Sequence, residues 1–280
     1  DSIGVDTSIE AFNTPPNWEQ LVNNKVREMI LKDNKDGINV MISLPYQWML
    51  KKGDRSKFIG FGIFEGSKTH TSWKHICNQD FISQIWTPSQ HTKDAFINGG
   101  IEKEINIVPH GVDTDIFNGD AKSDSNLKSG KFTFLYSGGW AQGANDRRAV
   151  DILLRAYTEE FKKDENTRLL LKLNPAYGQN LQIFMQMIES LGLKPKDQRA
   201  EIQILTNIVP YQQLPSVYKI ADVFVMPTKA EAFGLTCLES MACGVPVISN
   251  DYGGQVDFLV DRENSILLHK GEMIPASDMN

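Results

Sequence analysis

Short apolar runs alternate with amphipathic stretches along most of the chain, and glycine, proline or asparagine brackets many of them. Such runs read as buried strands, and stretches with apolar residues three and four apart read as helices. Residues 36–45 (DGINVMISLP) are expected to form a turn and then a strand. Residues 58–64 (FIGFGIF) form a second strand whose glycines permit close backbone approach, and residues 84–88 and 105–109 form two more. Helices are expected over 17–32, 72–80 and 89–98. Ser89 is a natural N-cap for the last and Gly99-Gly100 a natural stop.

Residues 119–130 (GDAKSDSNLKSG) are polar, carry no apolar period and read as a linker. A second alternating series follows. Strands are expected at 131–137, 167–173, 201–205, 221–226 and 245–249, with helices at 148–160, 179–191 and 213–220. Strand and helix in alternation imply parallel sheets covered by helices. The fold class is therefore α/β, with two Rossmann-like domains at 1–118 and 131–280 and a ligand-binding cleft between them.

Composition adds boundaries to this picture. Apolar residues make up 41% and charged residues 23% of 280 positions, ordinary values for a globular chain long enough for two domains. The net charge of −6 gives no general drive toward nucleic acid, so no nucleic-acid partner is expected. Lys51, Lys52, Arg55, Lys57, Lys68 and Lys74 make a local basic stretch. It reads as a solvated face; an anionic acceptor or peripheral contact with a membrane surface is the alternative. Cys77, Cys237 and Cys243 lack metal-ligand spacing. With no apolar run approaching a membrane span and no signal-peptide pattern, the sequence reads as that of a soluble, cytoplasmic protein.

The densest chemistry lies at 231–239, EAFGLTCLE, which continues into SMACGVPVISNDYGG. It follows a buried strand, so Glu231 is expected in a loop, Phe233, Gly234 and Leu235 at a helix N-terminus, and Glu239 within the helix. A helix N-terminus facing a loop carboxylate suits a ligand carrying an anionic group and sugar hydroxyls. On spacing alone the two acids could equally be unrelated surface groups.

This element resembles the E-x7-E unit of retaining glycosyltransferases of the GT-B fold, the large group that includes bacterial-type sucrose and glycogen synthases. Glu231, Phe233, Gly234, Leu235, Glu239, Met241, Ala242, Gly244, Pro246, Val247, Ile248, Gly253 and Gly254 match it, with Ser240 in place of the usual alanine. WTPS at 86–89, VPHGVDTDIF at 108–117 and LYSGGW followed by NDRRAVDILLRAY are similar to further family segments.

The resemblance implies a nucleoside-diphosphate sugar as co-substrate, no other cofactor and no metal. It implies that Glu231 lies beside the donor sugar and that Glu239 accepts hydrogen bonds from ribose hydroxyls. Arg147 and Arg148 match the family's basic pair, with Arg148 where lysine is usual and Ala149 where glycine is usual. They are placed to meet diphosphate charge; two arginines on an exposed helix end are the plain alternative. Gly138 and Gly139 let the backbone approach phosphate or sugar, although the family often has arginine at the second position. The amides of Phe233, Gly234 and Leu235 would add donors.

Glu65, at the end of a glycine-rich strand, and His110, next to Gly111, are candidates for the acceptor side of the cleft. Lys172 ends an apolar strand and either reaches the cleft or emerges to solvent. Asp113 and Asp115 spell D-x-D, but within the interdomain crossing segment, where metal binding is not expected. GGWAQG is not a phosphate loop, because Ala144 and Asn145 stand where lysine and serine or threonine are needed.

The family's opening strand and glycine loop would precede Asp1, and its closing helices would follow Leu268, so a fragment with an incomplete first domain is expected. The leading expectation is a retaining, metal-independent transferase acting on a glycan, lipid-linked or small-molecule acceptor. A non-catalytic module that binds sugar nucleotides or glycans is the alternative. An epimerase, a phosphorylase and a two-carboxylate hydrolase fit the motif less well.

Overall fold

The computed structural model describes residues 7–8, 24–31, 37–50, 57–140, 146–173, 181–269 and 271–272. Among them β1 (Asn39–Ile42), β2 (Phe58–Phe61), β3 (Ile82–Thr87) and β4 (Ile105–Ile107) form a parallel four-stranded sheet in chain order. Helices α1 (Asn24–Leu31), α2 (Pro45–Trp48), α3 (Thr71–Cys77) and α4 (Gln90–Asn98) accompany it. β1 is shorter than expected because Pro45, with its preset φ, opens α2 instead of extending the strand. Of the helix expected over 17–32, residues 17–23 and 32 lie outside the described residues.

Gly60 in β2 and Gly62 just after it are there for space. A Cβ on Gly60 would lie 2.6 Å from the Trp48 ring, and one on Gly62 would lie 2.5 Å from Phe96. Trp48, Phe58, Ile82, Ile85 and Phe96 fill this first core.

The second sheet has β5 (Phe132–Gly138), β6 (Thr167–Leu173), β7 (Glu201–Leu205), β8 (Val223–Met226), β9 (Val247–Asn250) and β10 (Ser265–Leu268). Its order is β10-β9-β8-β5-β6-β7, with every pairing parallel. Helices α5 (Val150–Glu160), α6 (Leu181–Ser190), α7 (Leu214–Tyr218) and α8 (Leu235–Ala242) pack around it.

β6 is buried on both faces, one lined by leucines and the other by Leu170 between the buried Arg168 and Lys172. Leu169, Leu171 and Leu173 pack with Val150, Leu154 and Phe184 on one face, while Leu170 joins Val217, Tyr218 and Cys237 on the other. Strand order reverses between β5 and β8, which places a crevice at their C-terminal ends.

Residues 119–130 carry a short 3-10 turn at Ser125–Leu127. Just before it, Phe117 is fully buried in the second core beside Tyr218. No helix among the described residues is long and apolar enough to cross a membrane. Lys51, Lys52 and Arg55, part of the basic stretch, lie outside the described residues.

Candidate functional site

The segment after β8 turns sharply. Gly234 takes φ 92° and caps α8, a conformation that favours a residue without Cβ. Glu231 sits in the preceding loop, and its carboxylate folds back on it: Oε1 accepts from the amides of Phe233 (3.4 Å) and Gly234 (3.3 Å). Those two amides, expected to face a phosphate, therefore serve Glu231, and the helix proper starts at Leu235. The loop is stacked on Gly253 and Gly254. The Gly254 amide donates to the Glu231 carbonyl at 2.8 Å, and a Cβ on Gly254 would overlap the Ala232 carbonyl and lie 2.7 Å from Ser89 Oγ.

Glu239, one turn into α8, is 7% exposed and accepts a hydrogen bond from the Tyr218 hydroxyl at 2.7 Å. Burial raises its carboxyl above the ordinary value, with the Tyr218 bond opposing. Burial also holds the Tyr218 hydroxyl well above its usual range.

On the β5 side, Asp146 organises the entry to α5. Its carboxylate accepts from the amides of Arg148 (3.1 Å) and Val150 (2.8 Å), satisfying donors that the helix leaves open. Ala149 is held at φ 54°, in the left-handed region that favours glycine. The Arg148 guanidinium lies over Gly138: a Cβ there would sit 3.0 Å from its Nη1 and 2.9 Å from the Tyr136 hydroxyl. Tyr136 donates to the Gly139 carbonyl. Burial pushes the Tyr136 hydroxyl up, and Arg148 counters it. Residues 141–145, including Ala144 and Asn145 of the phosphate-loop comparison, lie outside the described residues.

Arg147 points elsewhere. Its Nη1 donates to the Ala230 carbonyl (2.7 Å) and pairs with Glu231 Oε2 (3.2 Å), while its Nη2 pairs with Glu65 Oε1 (3.3 Å). Glu65 follows β2 of the first domain, so one guanidinium spans the cleft. Further contacts close the same seam. Ser89 Oγ donates to the Ala232 carbonyl at 2.5 Å, the Gln90 amide donates to Asp257 at 2.7 Å, and the His91 and Tyr252 rings meet at 4.9 Å.

His110 stacks on Phe61 of β2 (5.5 Å) and meets Phe233 edge-on (5.1 Å), and its burial lowers its basicity. The structure thus brings Glu65, His110, Arg147, Glu231 and Phe233 together at the domain boundary. Arg148, Gly138 and Gly139 cluster at the end of β5, and Glu239 lies deeper in α8. Lys172 does not emerge to solvent: it is 6% exposed and donates to the Leu173 carbonyl at 3.1 Å. The Asp113 carboxylate accepts from the Asp115 amide at 3.0 Å, closing its own turn.

Sequence reasoning missed Asp146, Tyr218, His91 and Asp257. Asp146 carried the acid-before-helix signal of an N-terminus. The other three act through tertiary contacts that have no local signature.

The chain matches the family described as "Glycosyl transferases group 1" over residues 123–276. It is 28% identical over 193 residues to a "GDP-mannose-dependent alpha-(1-6)-phosphatidylinositol monomannoside mannosyltransferase" of Mycolicibacterium smegmatis, covering 62% of this chain and 45% of that protein. It is 29% identical over 168 residues to a "D-inositol 3-phosphate glycosyltransferase" of Segniliparus rotundus, covering 59% of this chain and 36% of that protein. The chain thus spans less than half the length of these relatives.

Among solved structures, Anabaena Alr3699/HepE in complex with UDP-glucose superposes with a TM-score of 0.59 at 19% identity, over 77% of this chain and 59% of that one. A glycosyltransferase from Rickettsia africae superposes with a TM-score of 0.60 at 19% identity, over 93% of this chain and 69% of that one. These likenesses show the two-domain GT-B fold. Because the family match covers more than half of its residues, the chain belongs to the glycosyl transferases group 1.

Proposed function

We propose that this protein transfers a sugar from a nucleoside-diphosphate sugar to an acceptor hydroxyl, with retention at the anomeric carbon and without a metal ion. The observation that carries this reading is the Glu231–Glu239 unit, folded as carboxylate loop, glycine cap and helix beside the crevice where strand order reverses. Family membership supports it. One relative is named for GDP-mannose, and one structural neighbour was solved with UDP-glucose.

In this reading Glu239 accepts from the ribose hydroxyls, exchanging its Tyr218 partner or sharing it, and Glu231 orients the sugar. Arg148, with the backbone of Gly138 and Gly139, meets the diphosphate as it leaves. The bond from the anomeric carbon to phosphate oxygen breaks with its electron pair going to the diphosphate. The acceptor oxygen then bonds to the same face, and its proton passes to the departing phosphate oxygen. Glu65 and His110 line the acceptor side, where a glycan or lipid-linked hydroxyl would sit. We divide the chain into an acceptor-side domain at 1–118, a connection at 119–130 and a donor domain at 131–280. The free, buried cysteines support a cytoplasmic setting.

The test is calorimetric and thermal-shift titration with UDP, GDP, ADP, CDP and dTDP. At 100-fold excess over Kd one of them should stabilise the fold by about 2.7 kcal/mol. Glu239→Ala should remove that gain. Stabilisation by none of the five would sink the donor-site reading for this chain.

A further inference from the structure

Arg147 is more constrained than a phosphate-binding side chain needs to be. Its backbone carbonyl accepts from the Lys229 amide (2.7 Å) and from Thr228 Oγ1 (3.2 Å), stapling it to the loop that carries Glu231. Both terminal guanidinium nitrogens are taken up by the Ala230 carbonyl, Glu231 and Glu65. A diphosphate arriving at this point would bring negative charge against two carboxylates, which Coulomb repulsion disfavours. Arg148, one residue on, faces the other way, over the bare Gly138 at the end of β5.

The partners of Arg147 are asymmetric. Glu231 belongs to the same domain, and its other oxygen is already held by the amides of Phe233 and Gly234. Glu65 comes from the other domain, and its carbonyl accepts from His91 Nε2 at 2.8 Å, on the same helix that docks onto Ala232 and Asp257. Without Arg147, Glu65 and Glu231 would face each other as like charges across the cleft.

We propose that Arg147 is a positioning residue, a tie across the cleft that holds the acceptor-side Glu65 against the donor-side Glu231, and that the diphosphate falls to Arg148 instead. The assignment of the diphosphate rests on the donor reading above; the tie does not.

The experiment uses the full chain with spin labels at Glu102→Cys and Lys196→Cys, exposed positions in the two domains. The three native cysteines are buried. Pulsed dipolar spectroscopy should give one narrow interdomain distance. Arg147→Met should shift it to longer, broader separations, Glu65→Gln should do so to a smaller degree, and Arg147→Lys should restore most of the original distribution.

In parallel, UDP and GDP affinities are measured by calorimetry. Arg148→Met should lose at least about tenfold for the nucleotide that binds, the scale of a charge-assisted hydrogen bond. Glu65→Gln should stay within about threefold, since it leaves every second-domain group in place. An unchanged distance in Arg147→Met overturns the tie. A loss of nucleotide affinity in Arg147→Met equal to that in Arg148→Met, with Glu65→Gln unaffected, returns Arg147 to the phosphate and also overturns it. If none of UDP, GDP, ADP, CDP and dTDP binds the unmodified chain, the donor reading fails while the distances still decide the tie.

Discussion

Replacing Gly254 with alanine should damage both stability and the site. The new methyl group would overlap the Ala232 carbonyl oxygen and lie 2.7 Å from Ser89 Oγ. An ordinary carbon–oxygen contact is ~3.3 Å, so the 231–232 backbone must withdraw by roughly 1 Å or more. Forced repacking of this kind costs about 1–3 kcal/mol. Two hydrogen bonds go with it, Ser89 Oγ to Ala232 and the Gly254 amide to the Glu231 carbonyl, at about 1 kcal/mol each. The sum is about 3–5 kcal/mol, which corresponds to a fall in Tm of roughly 6–20 °C for a chain of this size.

Because Glu231 moves with its backbone, the proposed sugar transfer should slow by roughly 10² even at temperatures where the variant is folded. Thermal unfolding followed by circular dichroism measures the first effect. Gly119→Ala is the control: among the described residues nothing beyond its chain neighbours lies within 4 Å of its Cβ position, so it should stay close to the parent. A Gly254→Ala variant that melts within 2 °C of that control would refute the close approach and the site geometry built on it.

Ala149→Gly should raise Tm by a few degrees. It relieves a left-handed alanine worth about 1–2 kcal/mol, partly offset by the chain entropy of glycine; a lower Tm would count against the φ 54° cap. Glu239 titrates above its ordinary value because it is buried, so it holds its proton more tightly folded than unfolded. Its contribution is favourable below the unfolded pKa and is lost as pH rises through the folded one. Glu239→Gln should therefore gain on the parent as pH rises from the ordinary carboxyl range through the raised folded one, measured as the difference in Tm, and a flat or reversed difference would refute the burial argument. Arg148→Met should weaken a nucleoside diphosphate but not the matching nucleoside; equal loss for both in calorimetry would place Arg148 off the phosphates.

Much of this protein was legible from its residues, for reasons that are local. Strand positions followed from apolar runs such as 221–226, which reads as a buried strand without reference to any partner and is buried throughout Val223–Met226. The α4 N-cap at Ser89 and the glycine turn at Gly234 followed from backbone chemistry that neighbouring residues decide. The E-x7-E spacing placed Glu231 before α8 and Glu239 inside it, because a loop, a cap and a helical turn together have a fixed length. Helix starts were displaced by a residue or two, as at Val150, where Asp146 rather than Arg148 sets the entry.

What only the tertiary structure decided is which groups meet across the cleft. Sequence placed Arg147 beside Arg148 and gave both to one ligand. Folding turned their side chains apart, Arg148 over Gly138 and Arg147 into Glu65 and Glu231. Glu65 and Arg147 stand 82 positions apart in the chain, and Glu239 finds Tyr218 only because α7 and α8 share a face of the second sheet. An isolated charge carries no record of its partner. Its pairing is set when two sheets, each specified by its own apolar pattern, bring the loops that follow their strands together and those loops must neutralise one another.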